Sequence, residues 1–410
     1  MTTVVVGAGI IGVSIAHDLQ KRSREVVLVD KGEPGMGASF GNMASIAVTE
    51  FMPASRPSVW RQIPGWMLDP EGPVRVRPGY MPRLVPWFLR FLAASRPTKL
   101  RELEEQGAAL CKLALGDTEA LLKEIGAADQ LTETGCLSLY ADEAEFRADR
   151  DHIEILDRFG FAYEVLGGNA IRDLEPEITT KIGKAVLFLD NRSLKSPHRY
   201  VTLLAERFQA LGGRIERGEV LGFDRSDRIT GVRLKDGRVL EAEEVVLCAG
   251  AWTGILAALL GEPIPLETER GYHTQIIGPG AVAPALDHLA GARLHGDAHG
   301  GRHPRGRDGG DGGLDAAPDY RRSKVTVRRA REALPNLRVG QATEWMGHRP
   351  ALPDTVPIIS RSARTPGVFY ATGHGHLGVT YAATTGRLIG DLVTGATPPI
   401  DLHPYRIDRF

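Results

Sequence analysis

Gly7-Ala8-Gly9-Ile10-Ile11-Gly12 is the first group in the chain whose residue types and spacing define a chemistry. Glycines so spaced permit a tight turn, let a diphosphate approach the backbone, and let the next helix pack closely, with its first amides favouring negative charge. The context fits that mechanism. Val4-Val5-Val6 precede the motif, an apolar periodic run through Leu19 follows it, and Glu25 to Asp30 reads as a second strand ending in an acid. Asp30, with Lys31 beside it, stands 18 residues beyond Gly12, where a carboxylate takes a ribose 2'-hydroxyl. An acid there disfavours a 2'-phosphate, so FAD or NAD is preferred over NADP. The competing reading is a glycine-rich turn in some other α/β domain.

A second glycine-rich helix start, Thr372-Gly373-His374-Gly375-His376-Leu377-Gly378-Val379-Thr380, lies near the other end. A large flavin needs such a feature for its ring edge and the far side of its diphosphate, although the same glycines could simply cap a packed helix. His374 and His376 in this turn, with His348 next to Arg349, gather three imidazoles near one expected centre. An oxidation carried by a flavin requires no metal, so none is expected there.

The elements that must position these groups read as a discontinuous arrangement. Val245 to Cys248, followed by Ala249-Gly250, and Val368 to Ala371 read as buried strands returning to the first sheet. A helix is expected from about Val379 to Val393. Arg199 to Leu211 reads as a helix, Arg214 to Glu216 and Val220 to Phe223 as strands, and Asp236-Gly237 as a hairpin. Thr98 to Gly126 reads as a helix pair, broken or bent near Gly107 and Gly116, that starts a second domain. Leu137 to Tyr140 and Ala185 to Leu189 read as strands of a separate sheet. The expected fold class is α/β: a Rossmann-like FAD-binding domain from 1–50, 198–255 and 340–410, with an inserted α+β substrate domain from 51–197 and 256–339 on a mixed or antiparallel sheet.

Composition sets the outer bounds. The 410 residues, 42% hydrophobic and 25% charged, suit two or three soluble domains, and 50 basic against 51 acidic residues leave no field that would draw nucleic acid. Cys111, Cys136 and Cys248 have no metal-ligand spacing and support no disulfide framework, and no apolar run resembles an export signal, so a cytoplasmic protein is expected.

The first motif, Ala249-Gly250-Ala251-Trp252, Trp345-Met346-Gly347-His348-Arg349-Pro350 and the Gly373 to Thr380 turn together resemble the flavin-dependent D-amino-acid oxidase and dehydrogenase family, nearest its bacterial D-amino-acid and D-hydroxyproline dehydrogenase branch. The resemblance covers nearly the whole chain. It implies non-covalent FAD in an elongated pose, oxidation of the amine carbon of a small amino or imino acid, and a carboxylate grip by Arg349. It also implies a flavin loop at Ala38 to Asn42, with Ser39 and Asn42 as contacts, and an adenine-side strand at Gly218 to Val220. Tyr272 would line the substrate pocket, and His273 is a weaker candidate. A planar, permanently charged guanidinium also suits a zwitterion's carboxylate on chemical grounds alone, the competing reading being an interdomain ion pair. Alternatives are a sarcosine or glycine oxidase-like enzyme, or a non-catalytic flavoprotein subunit.

The electron acceptor is open, with a membrane quinone and an electron-transfer protein as candidates. Tyr80 to Phe91 interleaves aromatic and apolar residues with arginine, which suits peripheral contact with the inner face of the cell membrane, but its two prolines argue against a long amphipathic helix. One interval departs from everything else. Residues 285–313 hold nine Gly, four His, four Arg and four Asp, with no β-branched or aromatic residue, a composition that cannot supply the strands implied at this place. The glycines likewise argue against His288, His295, His299 and His303 forming one face of a metal-binding helix. Codons exist for Arg293 to Gly313 whose next frame reads as an alternating, family-like strand, which points to a local shift of reading frame, the competing reading being a flexible insertion.

Overall fold

Consecutive β-branched residues favour extended backbone, and Thr2–Val6 forms a strand whose last four residues are buried. It lies inside a six-stranded sheet ordered Ile358–Arg361, Val368–Thr372, Glu244–Leu247, Thr2–Val6, Glu25–Asp30, Arg214–Arg217. The last five are mutually parallel, and Ile358–Arg361 joins antiparallel at the edge. This computed structural model describes residues 1–60, 62–68, 76, 78–277, 293–294, 308–309 and 313–410.

The sheet is covered on both faces, as its continuous apolar strands require. Val5, Leu28, Val246 and Phe369 pack with the helices Ile10–Lys21, Pro97–Glu124, Pro197–Ala210 and Ala382–Thr394. Their neighbours Val4, Val27, Val245 and Leu247 pack with Phe223, Val232 and Leu234 of a three-stranded antiparallel sheet. Full burial of each such side chain contributes about 1.5–3 kcal/mol, so two faces are needed to hold so thin a layer. Because the core strands are parallel, Gly7, Asp30, Cys248 and Thr372 come out at the same end of the sheet, where open α/β folds bind ligands.

The remaining chain builds smaller sheets. Cys136–Tyr140, Lys184–Phe188 and Tyr163–Gly167 pair antiparallel, while Glu267–Ile277 and Gln341–Ala351 form an antiparallel ladder along their full length. That ladder corrects the boundary expected at residue 340, because Gln341–Ala351 bonds to Glu267–Ile277 rather than to the six-stranded sheet. The expected helix pair is instead one continuous helix, Pro97–Glu124. Gly107 does not break it; a Cβ there would stand 2.8 Å from Phe51 Cβ, so the glycine serves close packing. This helix also packs on Ala382–Thr394, with Thr384 Oγ1 donating to Asp117 at 2.7 Å, so its contacts run to the nucleotide-binding side.

Two further expectations change. Met81–Ala93 is a 13-residue helix despite its prolines. Pro82 occupies the first turn, where no N–H is needed, whereas Pro86 lies inside the helix, where it forfeits one bond of the ladder and crowds the Pro82 carbonyl. In the anomalous interval, Arg293–Leu294 pairs parallel to Cys136–Tyr140 and Asp308–Gly309 pairs antiparallel to Glu267–Ile277. Backbone groups alone make these two-residue ladders, so strand-poor composition does not prevent them. Apart from these two pairs and Gly313, residues 285–313, including all four histidines, lie outside the described residues.

Candidate active site and cofactor cradle

The cradle is built by backbone geometry. Gly7 has φ +113°, and its amide donates to Val29 O at 2.8 Å. A Cβ on Gly12 would lie 1.8 Å from Gly7 O, so no side chain fits between the turn and the helix. Gly9 caps the helix without a side chain, and the first-turn amides have no partners within the helix. Ile10 N donates to Ser39 Oγ at 3.0 Å, which ties the Ala38–Asn42 loop to the helix start. Asp30 accepts from Ala8 N at 2.7 Å and from Gly32 N at 2.8 Å, fixing its carboxylate at the carboxyl edge of its strand.

The second turn approaches from the other side. Gly373 has φ +79°, and a Cβ there would stand 2.1 Å from Leu352 Cδ1. Thr380 Oγ1 accepts from Ala47 N at 3.0 Å, joining this turn to the segment that leaves the flavin loop. His374 is buried, its Nε2 lies 3.0 Å from Thr385 Oγ1, and burial pushes its pKa down to about 3. It is therefore neutral, and its polar nitrogen is engaged in holding the turn to the following helix.

These pieces enclose a cavity of about 760 Å³, within the range of small-molecule and cofactor sites. Gly7, Gly9, Ile10, Ile11, Asp30, Lys31, Ser39, Asn42 and Val220 line it from the first motif, the loop and the adenine-side strand. Gly250, Trp252, His374, Gly375, His376, Gly378, Val379 and Thr380 line it from the second turn and the strand ends beside it, and Arg349 also lines it. Gly12 and Gly373 are not wall residues; each is packed behind the wall, where its missing side chain sets the turn. Among the described residues no group of three metal-ligating side chains forms.

The Glu267–Ile277 and Gln341–Ala351 ladder sorts the substrate-side candidates by face. Tyr272 pairs with Met346, Arg270 with His348, Gly271 with Gly347, and His273 with Trp345. Directly paired residues share a face and neighbours alternate, so Trp345, Gly347, Arg349, Gly271 and His273 lie on one face. Tyr272, Arg270 and His348 lie on the other. Face alone does not decide the lining, since Met346 and His348 of Tyr272's face line the cavity; Tyr272 itself, against expectation, is not among the lining residues, and its hydroxyl accepts from Asp319 N at 2.9 Å. His273 has the right face but is also absent from the wall, and burial lowers its pKa.

Arg349 is seated on glycine. A Cβ on Gly271 would come within 2.7 Å of Arg349 Nη2 and 2.8 Å of Cζ, so the guanidinium lies against bare backbone. Gly347 does the same for Trp345, whose ring also lies over Gly41 of the flavin loop. His348 sits 2.8 Å from Thr268 Oγ1 through Nδ1 and meets Trp252 edge-on, with ring centroids 5.3 Å apart. Burial, reinforced by Arg270 and Lys31, lowers its pKa to about 4. Met43, Ser45, Ala47 and Asp315 also line the cavity, and nothing in their local sequence marks them.

A two-sided glycine cradle at the carboxyl edge of a doubly covered parallel sheet, opening onto a cationic seat, defines a dinucleotide-dependent oxidoreductase. Residues 2–392 match the family described as FAD dependent oxidoreductase, and the chain belongs to that family. It is 30% identical over 428 residues to a D-amino-acid oxidase of Bradyrhizobium diazoefficiens, with 99% of this chain and 98% of the relative aligned. A D-amino acid dehydrogenase of Paramagnetospirillum magneticum is also 30% identical, over 431 residues, covering 100% and 99% of the two chains. Among solved structures, glycine oxidase from Geobacillus kaustophilus superposes with a TM-score of 0.75 at 21% identity, covering 100% of this chain and 98% of the other. L-proline dehydrogenase from P. horikoshii gives 0.71 at 20%, covering 100% and 97%. The cofactor is accordingly FAD. The glycines, the Asp30 carboxylate and the cavity volume all suit it.

Proposed function

We propose that the chain oxidises the amine-bearing carbon of small D-amino or imino acids. The observation that carries this reading is Arg349, lining the same cavity as the dinucleotide cradle on a ladder face cleared by Gly271 and Gly347. Bound FAD supplies an acceptor for the hydride of the substrate's Cα–H bond. The protein's own residues bind and orient. Arg349 takes the carboxylate through paired N–H groups, which fixes the direction of the Cα–H bond. Neutral His348 and His374 add no competing positive charge to that anion site. The reacting amine is neutral, drawn from solution, so the reaction needs no general base. Water then converts the imine to an oxo acid and ammonia, or a cyclic imine persists where the substrate is a proline derivative, including D-hydroxyproline.

The acceptor that reoxidises the flavin is a membrane quinone or an electron-transfer protein, and the chain works in the cytoplasm against the inner face of the membrane. Support comes from the Met81–Ala93 helix, where Met81, Val85 and Leu89 are 38%, 48% and 61% exposed at four-residue spacing, with Arg83 and Arg90 exposed beside them. No helix of the described residues is long and apolar enough to cross a membrane. For 285–313 we retain the shifted reading frame as the origin; coding DNA without a paired insertion and deletion there would dismiss it. The activity is tested by anaerobic bleaching of the flavin spectrum with D-amino acids, cis- and trans-4-hydroxy-D-proline, and sarcosine. Bleaching by D-amino or imino acids is the expected result, bleaching by sarcosine alone would reassign the substrate, and bleaching by none would favour a non-catalytic subunit.

A further inference from the structure

We propose that Trp345 is a positioning residue whose indole sets the spacing between the flavin loop and the strand that carries Arg349. It rests on the amine-oxidation reading above and gives a role to a cavity residue which that reading does not use.

One ring touches both sides. Trp345 Cε3, Cδ2 and Cζ3 lie 2.1, 2.6 and 2.6 Å from the Cβ that Gly41 would carry, and Cη2, Cζ2 and Cζ3 lie 2.0, 2.5 and 2.9 Å from the one that Gly347 would carry. The atoms nearest to each position all belong to this ring, so the room left by the two missing side chains is the room the indole occupies. Its two contacting flanks meet at Cζ3, which is within 2.9 Å of both positions. The loop and the strand cannot close on each other past this ring. Phe40 of the same loop adds an aromatic contact, with ring centroids 6.3 Å apart.

Each side is tied to one half of the reaction. The loop at Ala38–Asn42 is fastened to the cofactor helix, because Ser39 Oγ accepts from Ile10 N at 3.0 Å. Gly347 pairs directly with Gly271, whose bare backbone seats the Arg349 guanidinium. Trp345 and Arg349 share one strand and one face of it, so the strand that holds the carboxylate is the strand the indole holds off the loop. Tryptophan suits this task, since a rigid fused ring on two rotatable bonds fixes a separation at small entropic cost. Hydride transfer needs its partners held within a narrow range, and an error near 1 Å costs up to about a hundredfold.

The test measures anaerobic flavin reduction by the amino acid that bleaches the wild-type flavin fastest, with and without deuterium at Cα. FAD content, a thermal melt and the binding of benzoate, an unreactive carboxylate for Arg349 read through the flavin spectrum, are measured beside it. Trp345→Leu, too short to span both glycines, is expected to lower the limiting rate of reduction about ten- to a hundredfold. FAD content and benzoate affinity are expected to stay near those of the wild type, because cradle and guanidinium seat are untouched. The deuterium effect is expected to be full, because hydride transfer is the step that slows. Gly41→Ala drives a Cβ to 2.1 Å from Cε3 and is also expected to slow reduction. With Trp345→Leu added that collision is gone, so the double variant is expected to be no slower than Trp345→Leu alone. An unchanged limiting rate in Trp345→Leu, a loss confined to benzoate binding, or a double variant whose losses multiply overturns this inference alone. Loss of FAD from Trp345→Leu assigns the indole to the cradle and overturns it too. Failure of every amino acid to bleach the wild-type flavin overturns the parent reading and this one with it.

Discussion

Replacing Gly271 by alanine separates catalysis from folding. The new Cβ would stand 2.7 Å from Arg349 Nη2 and 2.8 Å from Nε, against ordinary contacts that begin at 3.4 Å, so the guanidinium must retreat by about 0.7 Å. The obstruction is the tip of a flexible side chain and not backbone. An alanine in an extended strand is also favoured over glycine by about 0.5–1 kcal/mol, so the fold and FAD content should be preserved. Catalysis should not be. A displacement approaching 1 Å in a positioning group costs up to about a hundredfold, and we expect kcat/KM to fall by about ten- to a hundredfold, or about 1.4–2.7 kcal/mol. The assay is stopped-flow anaerobic flavin reduction over a range of substrate concentrations, beside a thermal melt and a flavin spectrum. A Gly271→Ala enzyme within twofold of wild type would refute the claim that the guanidinium's seat sets its reach. Loss of FAD would refute the claim that the seat is separate from the cradle.

Gly12→Ala should behave in the opposite way, because its Cβ would meet Gly7 O at 1.8 Å and neither backbone segment can yield cheaply; purified protein should lack flavin absorbance and melt at lower temperature, and full FAD content would contradict the cradle geometry. Acidification should destabilise the protein. The unfolded imidazoles of His348 and His374 bind protons near 6.5, whereas the native ones wait until about 4 and about 3, so stability is full above 6.5 and falls as pH drops through that window. Each contributes up to about 1.4 kcal/mol per pH unit. Asp18 acts with the opposite sign, because burial raises its carboxyl to about 6 from 3.8, so its contribution is complete below 3.8 and gone above 6. With four imidazoles lowered, His17, His273, His348 and His374, against three carboxyls raised, Asp18, Asp117 and Glu267, the urea midpoint should be lower at pH 5 than at pH 7, and a higher midpoint at pH 5 would show that these imidazoles are not held neutral.

The cradle was legible because its determinants are local: three glycines, a preceding strand and an acid lie within the first 30 residues, and the structure places them along one wall. The substrate side was legible only in part. Alternation alone puts Trp345, Gly347 and Arg349 on one face, but which residues of Glu267–Ile277 share it depends on a register between segments more than 60 residues apart. A shift of one position separates Tyr272 from Gly271. Gly107 looked like a break because the sequence does not show Phe51 arriving against it. Asp315 carried no local signal, since its position depends on a buried arginine far upstream in the chain.

The six-stranded sheet has an implication for synthesis. Val5 pairs beside Val246, and Val246 in turn beside Phe369, so the inner layer is assembled from pieces separated by more than a hundred residues each. The glycine turn near residue 7 leaves the ribosome about 366 residues ahead of the turn at 373 that completes the flavin's enclosure. Until then Glu244–Leu247 has one unpaired side, an edge able to accept a strand from another nascent chain. Flavin can therefore be fully enclosed only after the turn at 373 has been made, and its supply in the cell should govern how much of the newly made chain escapes aggregation.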